Sequence, residues 1–126
     1  MAGTDMTKRV LTVDDSKTML QMLQFALKQG GYEIIQGENG QEGLDLLETN
    51  TVDVIITDIN MPVMDGITFI KELRKKPKNK ATPVLILTTE SSQSKKEEGR
   101  SAGATGWIVK PFDPGKLLEV IRKVSP

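Results

Sequence analysis

At 126 residues the chain has room for one domain around one hydrophobic core. Its 17 Lys and Arg balance its 17 Asp and Glu, so bulk charge recruits neither nucleic acid nor an acidic membrane, and no apolar run is long enough to span a bilayer. Cysteine and histidine are absent, which excludes disulfides, thiolate and Ser-His-Asp catalysis and the usual zinc sites, and leaves carboxylate, hydroxyl and amine chemistry around an oxygen-held cation such as Mg²⁺, Mn²⁺ or Ca²⁺.

Residues 8–13 (KRVLTV) read as a short, buried, β-branched strand. Met19, Met22, Leu23 and Ala26 follow at helical spacing, and Gly30-Gly31 stops that helix. Residues 32–36 (YEIIQ) suggest a second strand. Asn39 then opens an N-x-x-E capping box with Glu42, starting a helix through Leu44 and Leu47. Residues 52–57 (VDVIIT) form a third strand, bounded by Asp58 and the turn-rich NMPVMDG. The next helix carries Ile67, Phe69, Ile70 and Leu73 and ends in KKPKNKATP; the basic run from Arg74 to Lys80 reads as a solvated loop. Residues 83–88 (PVLILT) make a strand buried on both faces, and residues 91–102 (SSQSKKEEGRSA) a marginal, mobile helix with almost no apolar stripe. Residues 105–109 (TGWIV) give a last strand, and Leu117, Leu118, Ile121 and Val124 a last helix.

The pattern is βα repeated five times, an α/β domain whose core runs from about 7 to 124 with no effector domain expected. Helical crossovers predict parallel pairing with right-handed connections, and the runs VLIL and VII fit strands covered on both faces. The N-terminus, MAGTDMTKRV, shows no secretory h-region, so the expected location is cytoplasmic, as a monomer.

In an open parallel sheet, ligands bind at the carboxyl ends of the strands. Asp14 and Asp15 follow the first strand, Asp58 the third; Thr88 closes the fourth, and Lys110, before Pro111, closes the fifth. Each has a plain structural reading alone: a helix cap for Asp15 or Ser16, a turn for Asp58, a strand end for Thr88, a solvated ammonium for Lys110. Helix caps do not require three carboxylates at one edge, where a pair about 5 Å apart repels by roughly 3 kcal/mol at an effective dielectric of about 20. Lys110 offsets one charge, and a hard divalent cation would offset the rest. Asp58 beside such a cation and Lys110 is then a nucleophile for a phosphoryl group, with Thr88 donating to a phosphoryl oxygen.

The segments VLTVDDS at 10–16, DVIITDINMPVMDG at 53–66, ILTTE at 86–90 and AGATGWIVKPF at 102–112 carry a resemblance over nearly the whole chain. An acidic pair, a D-x-x-M-P-x-M-D-G loop, a strand-ending Thr and K-P-F stand in the order and spacing of the receiver domain of bacterial response regulators. The chain resembles that family, in its stand-alone, CheY-type chemotaxis form. The resemblance implies a (βα)5 flavodoxin-like three-layer sandwich whose five-stranded parallel sheet has the order 2-1-3-4-5. It implies Asp58 as phosphoacceptor, and Mg²⁺ (with Mn²⁺ able to substitute) held by Asp15, Asp58 and the Asn60 backbone carbonyl, with Asp14 acting through water. It implies Lys110 on the phosphoryl group ahead of a cis peptide to Pro111, Thr88 as the switch hydroxyl and Trp107 as the aromatic that follows it. Asn60 and Glu90 would bear on the phosphoryl lifetime. The implied donor is a phosphohistidine on a CheA-type sensor histidine kinase, and the implied output face is the fourth helix, last strand and last helix, binding a flagellar motor switch protein or another target. Phosphotransfer and dephosphorylation would be self-catalysed, in a signalling protein rather than an enzyme.

Two departures stand out. The family's aliphatic positions in the fourth helix hold Lys96, Glu97 and Arg100, and its usual Tyr or Phe is Trp107. Three other readings compete. A haloacid-dehalogenase-like phosphatase would need an acid at Asn60, and an amide cannot serve. A flavodoxin would need a phosphate-binding loop where Asp14 and Asp15 repel phosphate. A pseudo-receiver, an interaction module that no longer reacts, would not need the full acidic set.

Overall fold

The apolar runs become strands β1 (Arg9–Val13), β2 (Glu33–Gly37), β3 (Val54–Thr57), β4 (Val84–Thr88) and β5 (Gly106–Val109) in the computed structural model, which describes residues 7–126. The reading of the first ten residues thus lies partly outside the described ones. All neighbouring strands pair in parallel in the order β2-β1-β3-β4-β5, the expected flavodoxin-like arrangement. Val13 stands opposite Thr57, and Asp58 N–H donates to the Val13 carbonyl at 3.0 Å, so the residues after β1 and β3 emerge side by side.

Helices α1 (Lys17–Gln29), α2 (Gly40–Thr49), α3 (Gly66–Arg74), α4 (Gln93–Ala102) and α5 (Pro114–Val124) follow the strands in turn. Each starts at a small polar side chain that takes an orphan backbone N–H: Ser16 from Met19, Asn39 from Glu42, Asp65 from Thr68, Ser92 from Lys95 and Asp113 from Lys116. Such caps contribute about 1 kcal/mol each. The capping box at Asn39 forms with one shift, since the Glu42 carboxylate accepts from Glu38 N–H at 2.8 Å.

The continuous apolar runs are explained by two core layers. Leu11, Val13, Ile55, Val84 and Ile86 face one side, with Leu47, Phe69, Ile70 and Leu73 of α2 and α3. Val10, Val54, Ile56, Leu85 and Leu87 face the other, with Leu23, Leu27, Leu117 and Ile121 of α1 and α5. Successive strand residues point to opposite faces, so a strand covered on both must be apolar throughout.

Two expectations need correction. The buried stripe of α1 is Leu20, Leu23, Ala26 and Leu27, whereas Met22 is 45% exposed. Two overlapping sets of residues share helical spacing there, and the leucines take the inside. The basic run is not simply a solvated loop: Pro77–Asn79 forms a 3₁₀ turn, Asn79 is buried, and the Arg74 guanidinium donates to the carbonyls of Asn79 and Gly103. Burial pulls the Arg74 guanidinium below its ordinary range.

The fourth helix forms where it is expected, over Gln93–Ala102. It is capped at both ends, by Ser92 and by Gly103 at φ 115°, and it buries only Gly99 and Ala102. A Cβ on Gly99 would lie 2.7 Å from Ile86 Cδ1 and 3.0 Å from Trp107 Cζ3. The glycine that weakens the helix therefore lets it lie close on the sheet. Among the described residues no helix is long and apolar enough to cross a membrane.

Candidate functional site at the carboxyl edge of the sheet

The turns after β1, β3 and β5 bring Asp14, Asp15, Asp58 and Lys110 together. Asp14 and Asp58 are buried, and each is held by a backbone donor: Ser16 N–H to Asp14 Oδ1 at 2.9 Å and Ile59 N–H to Asp58 Oδ1 at 2.7 Å. Their other oxygens share the Lys110 ammonium, with Nζ 2.9 Å from each Oδ2. Asp15 is exposed, yet one oxygen from each of the three carboxylates lies within 4.8 Å of the others.

Burial and pairing compete here, with different winners. Burial pushes the Asp14 carboxyl above its usual 3.8, despite hydrogen bonds from Lys110 and the Ser16 N–H. For Lys110, burial pulls the ammonium down, but its hydrogen bonds to Asp14 and Asp58 outweigh that and hold it above its usual 10.5. With all three carboxylates ionised against one ammonium, two negative charges remain, the complement of a divalent cation. Exposed Asp15 leaves an open side, and an all-oxygen set of this charge fits Mg²⁺ or Mn²⁺.

Thr88 is fully buried at the end of β4, and Lys110 N–H donates to its carbonyl at 2.8 Å. The Thr88 hydroxyl oxygen accepts from Glu90 N–H at 3.2 Å. Glu90 turns its carboxylate to Ser92 N–H at 3.3 Å and its carbonyl to the Trp107 indole N–H at 3.1 Å. A chain of two hydrogen bonds therefore links Thr88 to half-buried Trp107 through Glu90. Asn60 lies exposed on the loop after Asp58. The peptide bond from Lys110 to Pro111 is cis, as expected.

Several contributors were not singled out from the sequence. The Ser16 and Ile59 amides act through the backbone, which leaves no side-chain signal. Thr57, fully buried, donates its hydroxyl to the Asp58 carbonyl at 2.8 Å. Gly66 is required because a Cβ there would sit 2.0 Å from the Asp58 carbonyl oxygen. Its signal was the Asp-Gly pair closing the loop motif.

A family model described as the response regulator receiver domain matches residues 10–122. The chemotaxis protein CheY1 of Helicobacter pylori is 36% identical over 118 residues, covering 92% of this chain and 95% of that protein. The alkaline phosphatase synthesis transcriptional regulatory protein PhoP of Bacillus subtilis is 36% identical over 119 residues; the match takes in 94% of this chain but only 49% of PhoP, so the chain spans about half of that relative. A high-resolution structure of the chemotaxis response regulator CheY4 of Vibrio cholerae superposes with a TM-score of 0.89 at 47% identity, covering 94% of this chain and 98% of that one.

Proposed function

Because this chain belongs to the response regulator receiver family, we propose that it is a phosphorylation-controlled switch that accepts a phosphoryl group on Asp58 from a phosphohistidine of a CheA-type sensor kinase. The observation that carries this reading is the pair of buried carboxylates, Asp14 and Asp58, held 2.9 Å from one ammonium beside a third, exposed carboxylate. Receiver domains are signalling proteins rather than conventional enzymes, and the chemistry below is the chain's reaction on itself.

Asp58 Oδ2 attacks phosphorus, forming a P–O bond as the P–N bond of the donor breaks and its electron pair returns to the imidazole. Asp58 Oδ1 stays on the Ile59 N–H, which fixes the carboxylate plane and aims the other oxygen. Lys110 follows the charge from the carboxylate to the phosphoryl oxygens. Thr88 donates a hydrogen bond from its hydroxyl to one of those oxygens, and Asp14 stays on Ser16 N–H and Lys110. Asp15, Asp58 and the Asn60 carbonyl would hold Mg²⁺, with Asp14 through water, and the ion when bound neutralises charge building on the transferring oxygens. Asn60 and Glu90 bear on the phosphoryl lifetime.

Once Thr88 turns to the phosphoryl group, the Glu90 N–H loses its present acceptor, and Trp107 follows through the Glu90 carbonyl. That gives a route from the site to α4 and β5. We place the switch in chemotaxis, as a cytoplasmic monomer acting on a motor switch protein, on the likeness to CheY1 and CheY4. The likeness to PhoP, a transcriptional regulator, shows that the family alone does not choose the output.

The test is intact-protein mass after incubation with acetyl phosphate, with and without Mg²⁺. A gain of one phosphoryl group that needs Mg²⁺ and vanishes in Asp58→Asn is expected. Uptake that persists in Asp58→Asn would sink the assignment. No uptake, and no response to beryllofluoride with Mg²⁺, would favour the pseudo-receiver.

A further inference from the structure

One peptide unit, between Asp58 and Ile59, touches both the acceptor carboxylate and the packed interior. Its N–H donates to Asp58 Oδ1 at 2.7 Å, the hydrogen bond that fixes the carboxylate plane. Its carbonyl accepts the Thr57 hydroxyl at 2.8 Å, and Gly66 lies against the same oxygen with no room for a Cβ. The backbone on either side is pinned as well, by Asp58 N–H on the Val13 carbonyl at 3.0 Å and Gly66 N–H on the Ile59 carbonyl at 2.8 Å. Among these holds, the one from Thr57 is made by a side chain other than the acceptor itself.

A peptide unit is planar, so its N–H and C=O turn together. Whatever holds the carbonyl therefore sets the direction of the N–H, and through it the carboxylate. Thr57 is fully buried, where water offers the carbonyl no substitute donor. A buried hydroxyl needs an acceptor in any case. Its use of this carbonyl is what couples it to Asp58.

We propose that Thr57 is a positioning residue for phosphoryl transfer: its hydroxyl holds the Asp58–Ile59 peptide so that Asp58 Oδ2 stays aimed at the incoming phosphorus. The effect on transfer rests on the reading of Asp58 as phosphoacceptor; the hold on the peptide does not. Thr57 acts through the backbone and keeps its proton throughout.

Thr57→Val keeps the branched shape and loses the hydroxyl, whereas Thr57→Ser keeps the hydroxyl and loses a methyl group. Thr57→Ala is a second hydroxyl-free variant and should behave as Thr57→Val does. Amide hydrogen exchange at Ile59 is followed by NMR on the full chain without metal or phosphodonor. Relative to the β3 amides, it is expected to speed up about tenfold or more in Thr57→Val and to stay near the parent rate in Thr57→Ser. Phosphoryl uptake from acetyl phosphate with Mg²⁺ is expected to slow about tenfold or more in Thr57→Val and to recover in Thr57→Ser. Urea unfolding of the same variants gives the purely structural alternative, under which the uptake rate follows stability rather than the hydroxyl. An Ile59 amide or an uptake rate unchanged in Thr57→Val, or a serine variant as slow as the valine one, would overturn the proposal. Faster Ile59 exchange in Thr57→Val with no uptake by the parent chain sinks the Asp58 reading alone. Uptake by the parent chain with an unchanged Ile59 amide in Thr57→Val sinks the Thr57 inference alone.

Discussion

Val63 holds a φ of 69°, a left-handed backbone that a β-branched side chain disfavours. Its turn is closed by Met64 N–H on the Pro62 carbonyl at 2.7 Å, and the Met64 carbonyl accepts from Gly40 N–H at 3.1 Å. The loop after Asp58 is thereby pinned to the first residue of α2. The Val63 side chain is 81% exposed, so no packing offsets the strain. Asn tolerates this conformation better, and Val63→Asn is expected to raise stability by about 1 kcal/mol in urea unfolding. A loss of stability would show that Val63 contributes something beyond backbone geometry. Nothing local announces this strain, since propensity argues against a valine there. The close approach of Gly66 to the Asp58 carbonyl is equally silent until the chain is folded.

At the level of the helix, α4 sets two effects against each other at Gly99. Alanine there would improve helix propensity by about 1 kcal/mol. Its Cβ would also enter the space of Ile86 Cδ1 and Trp107 Cζ3, and overpacking of that kind costs about 1–3 kcal/mol. Ile86 is fully buried in the central sheet and has little room to yield. Crowding is therefore expected to win, with Gly99→Ala less stable by roughly 1 kcal/mol and Trp107 emission shifted. Increased stability with unchanged emission would mean that the helix simply moves outward. A reading limited to apolar spacing finds no reason for α4 to dock, because the docking residue is defined by what it lacks. The stripe of α1 misleads in the opposite way, since Met22 has the right spacing and the wrong side.

For the molecule as a whole, the site gathers two net negative charges at one edge of a chain whose formal net charge is zero. Ligands that relieve that charge bind the folded state alone. Mg²⁺ with beryllofluoride, at about a hundred times its dissociation constant, is expected to stabilise the chain by about 2.7 kcal/mol in thermal or urea unfolding. Asp58→Asn should abolish most of that gain, because a carboxylate oxygen of the acidic cluster and one negative charge are lost together. An equal gain in the variant would place the ligand elsewhere.

The order of strands and helices was legible because it depends on local matters: short continuous apolar runs, helical spacing, and Ser, Asn or Asp at each helix start. The acidic residues were legible as a site because parallel βα units carry whatever follows each strand to the same edge. Other features join distant parts of the chain, and local pattern holds no record of them. Lys110 reaches Asp58 across 52 positions, and the Trp107 indole reaches the Glu90 carbonyl across 17. A groove lined by Lys96, Arg100 and Trp107 likewise exists only once α4 lies on β5. Sequence by itself determined which chemical groups the edge would collect. Only the tertiary structure decided which of them share a proton donor, which stay unpaired, and how closely the backbone allows them to meet, because those are properties of packing distance.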